Sequence, residues 1–279
     1  MGALPGTLGV VGLGLMGATL ARNVRRVDPS VRIVAVEPRE EVRAQALADG
    51  VVDAALAAPG PALAGCRLCV LCTPVATIEA LLGPVSRLLP DGAVLTDVGG
   101  AKERVLSLAS DLVRPGVIFV GAHPMFGGHG GYAGATADKW IGGRVAVCTD
   151  GPAEAVEQVA ALHAALGGQV ERCTAAEHDA AVAMVSHLPY LVASALASAA
   201  REAGPLAMKL AGPGLKDMTR LAAFPFDIQG EVARRNAYIP EAAERMKRHL
   251  ETILGAVTSS PEAARAALEA ARAAREELF

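Results

Sequence analysis

Between residues 7 and 173 the chain alternates short, almost wholly apolar runs with longer stretches whose apolar positions recur at helical spacing. The apolar runs predict strands at Thr7–Val11, Arg32–Val36, Leu68–Cys72, Ala93–Asp97, Ile118–Gly121, Arg144–Cys148 and Gln169–Arg172. The stretches between them predict helices at Ala18–Val27, Arg39–Asp49, Thr77–Leu89, Lys102–Leu112 and Ala153–Leu166. Strands without polar alternation are covered on both faces, and their regular exchange with helices predicts a doubly wound, mostly parallel α/β sheet. After Thr174 the strand pattern stops. Ala175–Ala203 reads as one long apolar helix interrupted at Pro189, whose ring removes a hydrogen bond and crowds the preceding turn. Helical segments follow at Leu206–Leu210, Lys216–Ala222, Asp227–Asn236 and Ile239–Ala256, and a last helix opens at Ser260-Pro261-Glu262, a cap followed by a favourable first turn. The expected organisation is an α/β domain over residues 1–173 and an all-helical domain over residues 174–279.

Composition narrows the partners. The 279 residues are 52% apolar but only 3% aromatic, so the core is expected to be built from Ala, Val and Leu. A formal charge of −3 provides no electrostatic footprint for nucleic acid, and no polybasic segment favours an anionic membrane. The apolar run Leu8–Ala21 lacks a basic leader and is too short to span a bilayer, so a soluble cytoplasmic protein is expected. Five cysteines in apolar surroundings fit a reducing compartment. Cys66, Cys69 and Cys72 have a superficially metal-like spacing, but Cys69-Val70-Leu71-Cys72 reads as a buried strand, and packing is the preferred interpretation. The Ala- and Leu-rich helical half has more apolar surface than its size needs, which predicts a partner face, most simply that of a homodimer.

Gly12-Leu13-Gly14-Leu15-Met16-Gly17 follows the first strand and opens the first helix, the context in which Gly-x-Gly-x-x-Gly is informative. In a Rossmann-type fold Gly12 makes the tight turn, Gly14 lets a pyrophosphate approach the backbone, and Gly17 lets helix and strand pack closely. The helix terminus offers free N–H groups and a positive dipole end to phosphate. Glu37 ends the second strand, where a carboxylate accepts ribose hydroxyls and repels the extra phosphate of NADP. NAD is therefore expected, with NADP left open by the neighbouring Arg39. Cys72-Thr73-Pro74 and the turn after Asp97 end two further strands and are expected to face the nicotinamide.

Three more segments carry candidate chemistry. His123, in Gly121-Ala122-His123-Pro124-Met125, is expected in the exit loop of the fifth strand, where a neutral imidazole can accept a proton as hydride leaves. Ser186-His187-Leu188-Pro189 lies in the first helix of the second domain, and Gly214-Leu215-Lys216-Asp217-Met218-Thr219-Arg220 lies further on. Together with Gly-x-Gly-x-x-Gly, Leu-Cys-Thr-Pro and Asp-Val-x-x-x-Lys, and in this order, these segments resemble the prephenate and arogenate dehydrogenases from about Leu8 to about Leu254. The resemblance implies oxidation of a cyclohexadienyl substrate: hydride leaves C4, the ring carboxylate departs as carbon dioxide, and the ring becomes aromatic. It further implies that His123 accepts the hydrogen bond and proton of the C4 substituent, that His187 lines the substrate pocket, and that Arg220 holds a substrate carboxylate. The helical domain would form the dimer, with the segment around Gly214 reaching the neighbouring subunit's site. His129, His163, His178 and His249 match no functional position and are assigned to structure.

The chain departs from the family pattern in two places. The family commonly has Ser where this chain has Gly100, and the residues after His-Pro-Met are Phe126, Gly127 and Gly128 in place of the usual Ala-Gly-Ser or Ala-Gly-Thr. A lost hydroxyl contact to a buried polar substituent costs about 1–3 kcal/mol unless replaced. Both changes are expected to face C4 and favour an amine there, as in 4-amino-4-deoxyprephenate, over the hydroxyl of prephenate or arogenate; both alternatives stay open. No segment after the helices is expected to hold a regulatory ligand. A β-hydroxyacid dehydrogenase shares the opening motif, but those enzymes use a Lys where Ala180–Ala197 has His187 and no Lys. A dinucleotide sensor without catalysis would not need both His123 and Arg220.

Overall fold

The computed structural model describes residues 4–127 and 130–279. The strands are β1 (Thr7–Val11), β2 (Arg32–Val36), β3 (Ala54–Leu56), β4 (Leu68–Leu71), β5 (Val94–Asp97), β6 (Ile118–Val120), β7 (Ala122–Pro124), β8 (Arg144–Cys148) and β9 (Gln169–Cys173). The helices are α1 (Leu15–Val27), α2 (Glu40–Ala48), α3 (Val75–Ser86), α4 (Glu103–Leu112), α5 (Ala153–Ala165), α6 (Ala175–Val182), α7 (Leu188–Glu202), α8 (Pro205–Leu210), α9 (Pro213–Met218), α10 (Glu231–Arg235), α11 (Ile239–Ser259) and α12 (Pro261–Leu278). The chain packs as two compact units. One holds the residues up to Val182 with Ala223–Asn236; the other holds Ala183–Ala222 with Ala237–Phe279.

In the first unit six strands form a wholly parallel sheet in the order β3-β2-β1-β4-β5-β6. Successive residues of each strand enter opposite cores. Leu8, Val10, Ile33, Ala35 and Val70 join one apolar cluster, and Val11, Val34, Val36, Cys69 and Leu71 join the other. Coverage on both faces is why these strands lack polar alternation. Cys66, Cys69 and Cys72 are all buried within these clusters, and burial pushes the Cys66 thiol up to about 11.

The strand pattern differs from expectation after β6. Arg144–Cys148 and Gln169–Cys173 do not extend the parallel sheet but join β7 in a separate three-stranded sheet of order β7-β8-β9. His123 is therefore not in a strand's exit loop. It lies within β7, antiparallel to β8 and opposite Ala146. The break falls at Gly121, where a Cβ would stand 2.6 Å from Leu106 Cδ1. The short β3, three residues long and mostly alanine, has no signal in the apolar pattern.

The long helix expected over 175–203 is α6 and α7 joined by a π-turn at Ala183–His187, directly before Leu188-Pro189. Pro189 has no N–H for the carbonyl four residues earlier, and a widened turn relieves its ring's clash with that carbonyl. By length and composition the span Ala175–Glu202 could cross a membrane. Its first part is instead built into the α/β unit, where buried Asp179 accepts the amides of Lys102 and Glu103. In the second unit Ala183, Leu188 and Ala242 form a small core with Met184, Val192, Tyr238, Ile239, Ala243 and Met246. Ser260 caps α12 by accepting the Ala263 amide at 3.1 Å.

At the start of α1, a Cβ on Gly17 would stand 1.8 Å from the Gly12 carbonyl oxygen and 3.0 Å from Cys72 Cβ. Gly17→Ala is expected to force the helix off the strand and to cost roughly 1–3 kcal/mol, read as a lower urea midpoint at unchanged slope; an unchanged midpoint would show that the helix can shift freely.

Candidate functional site

Because the six strands of the large sheet are parallel, the turns after β1, β2, β4, β5 and β6 all open at its carboxyl edge. The strand order reverses between β1 and β4, the switch point at which ligands bind in open α/β sheets. Gly12, at φ 96°, occupies a conformation that L side chains rarely adopt, and a Cβ there would meet the Cys72 carbonyl and Thr73 Cγ2 at 2.8 Å. Gly14 differs, with nothing within 4 Å of its Cβ position, so its backbone faces open space at the start of α1. Leu15 and Met16 form the first turn, which no side chain caps at Gly14. Thr73 Oγ1 is buried without a hydrogen-bond partner in the described structure. A nucleotide's phosphates fit this cradle: open backbone, a helix N-terminus and an unsatisfied hydroxyl beside it.

Glu37 and Arg39, both expected at the ribose, are bound to each other. One carboxylate oxygen of Glu37 accepts the Leu13 amide at 2.9 Å and Arg39 Nη2 at 3.1 Å, and the other accepts the Arg39 amide at 3.1 Å and Nε at 2.7 Å. Burial would raise the Glu37 pKa, but these donors more than offset it and hold the carboxyl below its usual range. Arg39 is half exposed while Glu37 is buried, so a ribose hydroxyl can compete for the carboxylate if the guanidinium swings outward.

Asp97, also expected at the cofactor, is wholly buried and engaged inside the protein. Its Oδ1 accepts the Ala122 amide at 3.1 Å, and its Oδ2 accepts the Gly99 amide at 2.9 Å and a charge-assisted bond from buried Lys102. Lys102 Nζ also donates to the Ala122 carbonyl at 2.9 Å. The ion pair thus grips the residue before His123 from both sides.

The structure joins to His123 two residues that the sequence pattern does not single out for chemistry. His178, assigned to structure from sequence, places Nε2 2.9 Å from His123 Nδ1, and its own Nδ1 lies 2.7 Å from Asp179 Oδ1. Asp179 also accepts the Lys102 amide at 2.8 Å and the Glu103 amide at 3.0 Å, capping α4. Burial would raise the Asp179 pKa; the His178 bond and the two amides outweigh it and lower the carboxyl. Asn236 Nδ2 donates to the Asp179 carbonyl at 2.7 Å. The segment 223–236 is fixed further by Arg235, which donates to both oxygens of Glu79 on α3 at 2.8 and 2.9 Å. Only the adjacency Glu177-His178-Asp179 in an otherwise apolar helix could have signalled this cluster.

Gly100 borders the opposite edge of the His123 ring. A Cβ at residue 100 would stand 3.5 Å from His123 Nε2 and 3.0 Å from Val232 Cγ1. His187, Gly214 and Arg220 belong to the second unit. His187 ends the π-turn and is buried, Gly214 lies exposed in α9, and Arg220 is exposed with no ion pair among the described residues. Gly128 and His129, part of the second sequence departure, lie outside the described residues; Phe126 packs edge-on against Trp140, with ring centroids 4.8 Å apart.

Residues 20–172 match the model of the prephenate dehydrogenase nucleotide-binding domain, and residues 174–267 match that of the prephenate dehydrogenase dimerization domain. The chain is 30% identical over 255 residues to the prephenate dehydrogenase of Lactococcus lactis subsp. cremoris, an alignment covering 89% of this chain and 70% of that protein. Among solved structures it is similar to Synechocystis arogenate dehydrogenase, with TM-score 0.82 and 28% identity, covering 98% of this chain and 100% of that one. The fold also matches A. aeolicus prephenate dehydrogenase solved with hydroxyphenyl propionate and NAD+, with TM-score 0.88 and 23% identity over 98% of each chain.

Lys102→Met would leave Asp97 buried without its counter-charge. Removing one partner of a buried pair costs about 3–5 kcal/mol, so equilibrium urea unfolding of this variant should show a loss of that order; a loss under about 1 kcal/mol would mean that the pair does not anchor β7.

Proposed function

Given that the chain belongs to the prephenate dehydrogenase family, we propose that it is an NAD-dependent enzyme that oxidatively decarboxylates a cyclohexadienyl acid, with 4-amino-4-deoxyprephenate preferred. The observation carrying this reading is the pairing of His123 with Gly100: a base faces a wall without a hydroxyl. NAD, when bound, supplies the hydride acceptor. Gly12, Gly14 and Gly17, with the Leu13–Met16 turn, would hold its pyrophosphate. Glu37 would take the ribose hydroxyls once Arg39 yields, and Cys72, Thr73 and Pro74 would border the nicotinamide.

In this mechanism His123 Nε2 accepts the hydrogen bond of the C4 substituent and takes up positive charge as hydride leaves C4. The C1 carboxylate departs as carbon dioxide, its bonding pair enters the ring, and aromatisation drives the reaction. An amine at C4 arrives as an ammonium and must shed a proton before C4 can surrender hydride, so it needs a base more than it needs a serine hydroxyl. Val232 crowds the place where that serine would stand, which supports an apolar wall there. His187 would line the pocket and Arg220 would grip a substrate carboxylate in two places. Gly214 would serve the neighbouring subunit's site in a cytoplasmic homodimer formed by the helical domain, taken as residues 174–279. The relatives' names favour a second reading, in which the substrate is prephenate or arogenate itself.

A substrate panel with NAD, followed by NADH absorbance, tests the choice: the amino analogue should have the highest kcat/KM, and a clear preference for prephenate or arogenate would select the second reading. His123→Asn should lower kcat by about 10²–10⁴-fold while NAD affinity, read by titration of the free enzyme, stays nearly unchanged. Surviving turnover would remove His123 from the chemistry. Gly100→Ser combined with Val232→Ala should raise activity on prephenate relative to the amino analogue, whereas Gly100→Ser alone should gain less because its Cβ meets Val232. An unchanged ratio in the double variant would undo the role given to residue 100.

A further inference from the structure

The roles of His178 and Asp179 deepen the proposed mechanism and rest on His123 being its proton acceptor. Asp179 accepts the amides of Lys102 and Glu103 at the start of α4, where the helix dipole favours negative charge. An ionised carboxylate can only accept, so the 2.7 Å contact to His178 Nδ1 requires a proton on that nitrogen. In the neutral ring of His178, Nε2 then carries a lone pair. Its 2.9 Å contact with His123 Nδ1 in turn requires the proton on His123 Nδ1. The lone pair of His123 is left on Nε2, the nitrogen 3.5 Å from the Cβ position of Gly100.

We propose that His178 and Asp179 are positioning residues that set the tautomer of His123, so that its acceptor nitrogen faces the C4 substituent. When His123 gains a proton there, its Nδ1–H bond to His178 spreads the charge toward the carboxylate of Asp179, and no net proton need leave the relay. Among the described residues, the following ionisable groups near it are already committed. Asp97 and Lys102 pair with each other behind Ala122. Glu103 is exposed and contributes its amide. Cys148 in β8 and Cys173 in β9 are held as neutral thiols by burial.

The sharpest test is Asp179→Asn. Asp179 Oδ1 accepts both His178 Nδ1 and the Lys102 amide, so an Asn oxygen at that position keeps the proton order but removes the charge that supports the imidazolium. Only a turned amide, at the loss of the Lys102 bond, puts hydrogen on His123 Nε2. With 15N-labelled histidine, and His123→Asn used to assign the signals, wild-type His123 at high pH should show a bare Nε2 and a protonated Nδ1. Asp179→Asn should make a protonated Nε2 appear in part of the population and lower kcat by about 10²-fold or more, as loss of an orienting carboxylate does in an Asp-His pair. His178→Leu, which leaves the α4 cap intact, should lower kcat and move the acid limb of kcat/KM toward lower pH, because the imidazolium loses its support. A protonated Nε2 in the wild type, or Asp179→Asn and His178→Leu both within threefold of wild-type kcat with unmoved acid limbs, would overturn the relay. Turnover surviving His123→Asn would instead overturn the base assignment, and the two failures are thereby distinguishable.

Discussion

The site depends on one buried ion pair. Asp97 and Lys102 lie five residues apart around the turn after β5, both wholly shielded from solvent, and between them they hold the amide and the carbonyl of Ala122. Two charges removed from water must find compensation close by. Here part of that compensation is the backbone on which His123 sits. The pair therefore couples the parallel sheet to the smaller β7-β8-β9 sheet and sets where the imidazole stands. It also orients the start of α4, whose first amides are taken by Asp179. Two carboxylates on opposite sides of one turn thus organise the surroundings of one histidine.

The nucleotide cradle works by a different principle. Its glycines are unlike one another: Gly12 and Gly17 are forced by near contacts within the fold, while Gly14 faces open space. Of these three, Gly14 alone meets no neighbour at its Cβ position, which leaves its backbone open to approach. Glu37 sits beside the cradle with its acceptor sites filled by Leu13 and Arg39, so a ribose must compete with an intramolecular guanidinium. The reservation that Arg39 raises in the sequence has its structural counterpart in the contact of its guanidinium with Glu37.

The α10 segment packs against the turn at Gly100. Arg235 anchors it to Glu79, Asn236 ties it to the Asp179 backbone, and Val232 then lies against Gly100. The absence of a side chain at residue 100 and the presence of one at residue 232 belong to one packing solution. A change at either position is felt by the other, so a hydroxyl cannot be introduced beside His123 without yielding from across the contact.

Much of this was legible in the chain because it follows from local rules. Apolar runs without alternation require cover on both faces, and the turn glycines, the strand-end Glu37 and the cap at Ser260 each depend on near neighbours in sequence. The order of short motifs carried the family. Sequence did not reveal the break at Gly121, after which His123 enters a strand of a second sheet, because that depends on the pairing of β7 with the chain-distant β8. Nor did it reveal that His178 Nε2 meets His123 Nδ1 across 55 residues, since a histidine in an apolar helix has the same sequence signature whether it packs or bonds. Chain-distant hydrogen bonds and the direction of a proton along them exist only once the backbone has brought α4, α6 and β7 together, and only the tertiary structure decides them.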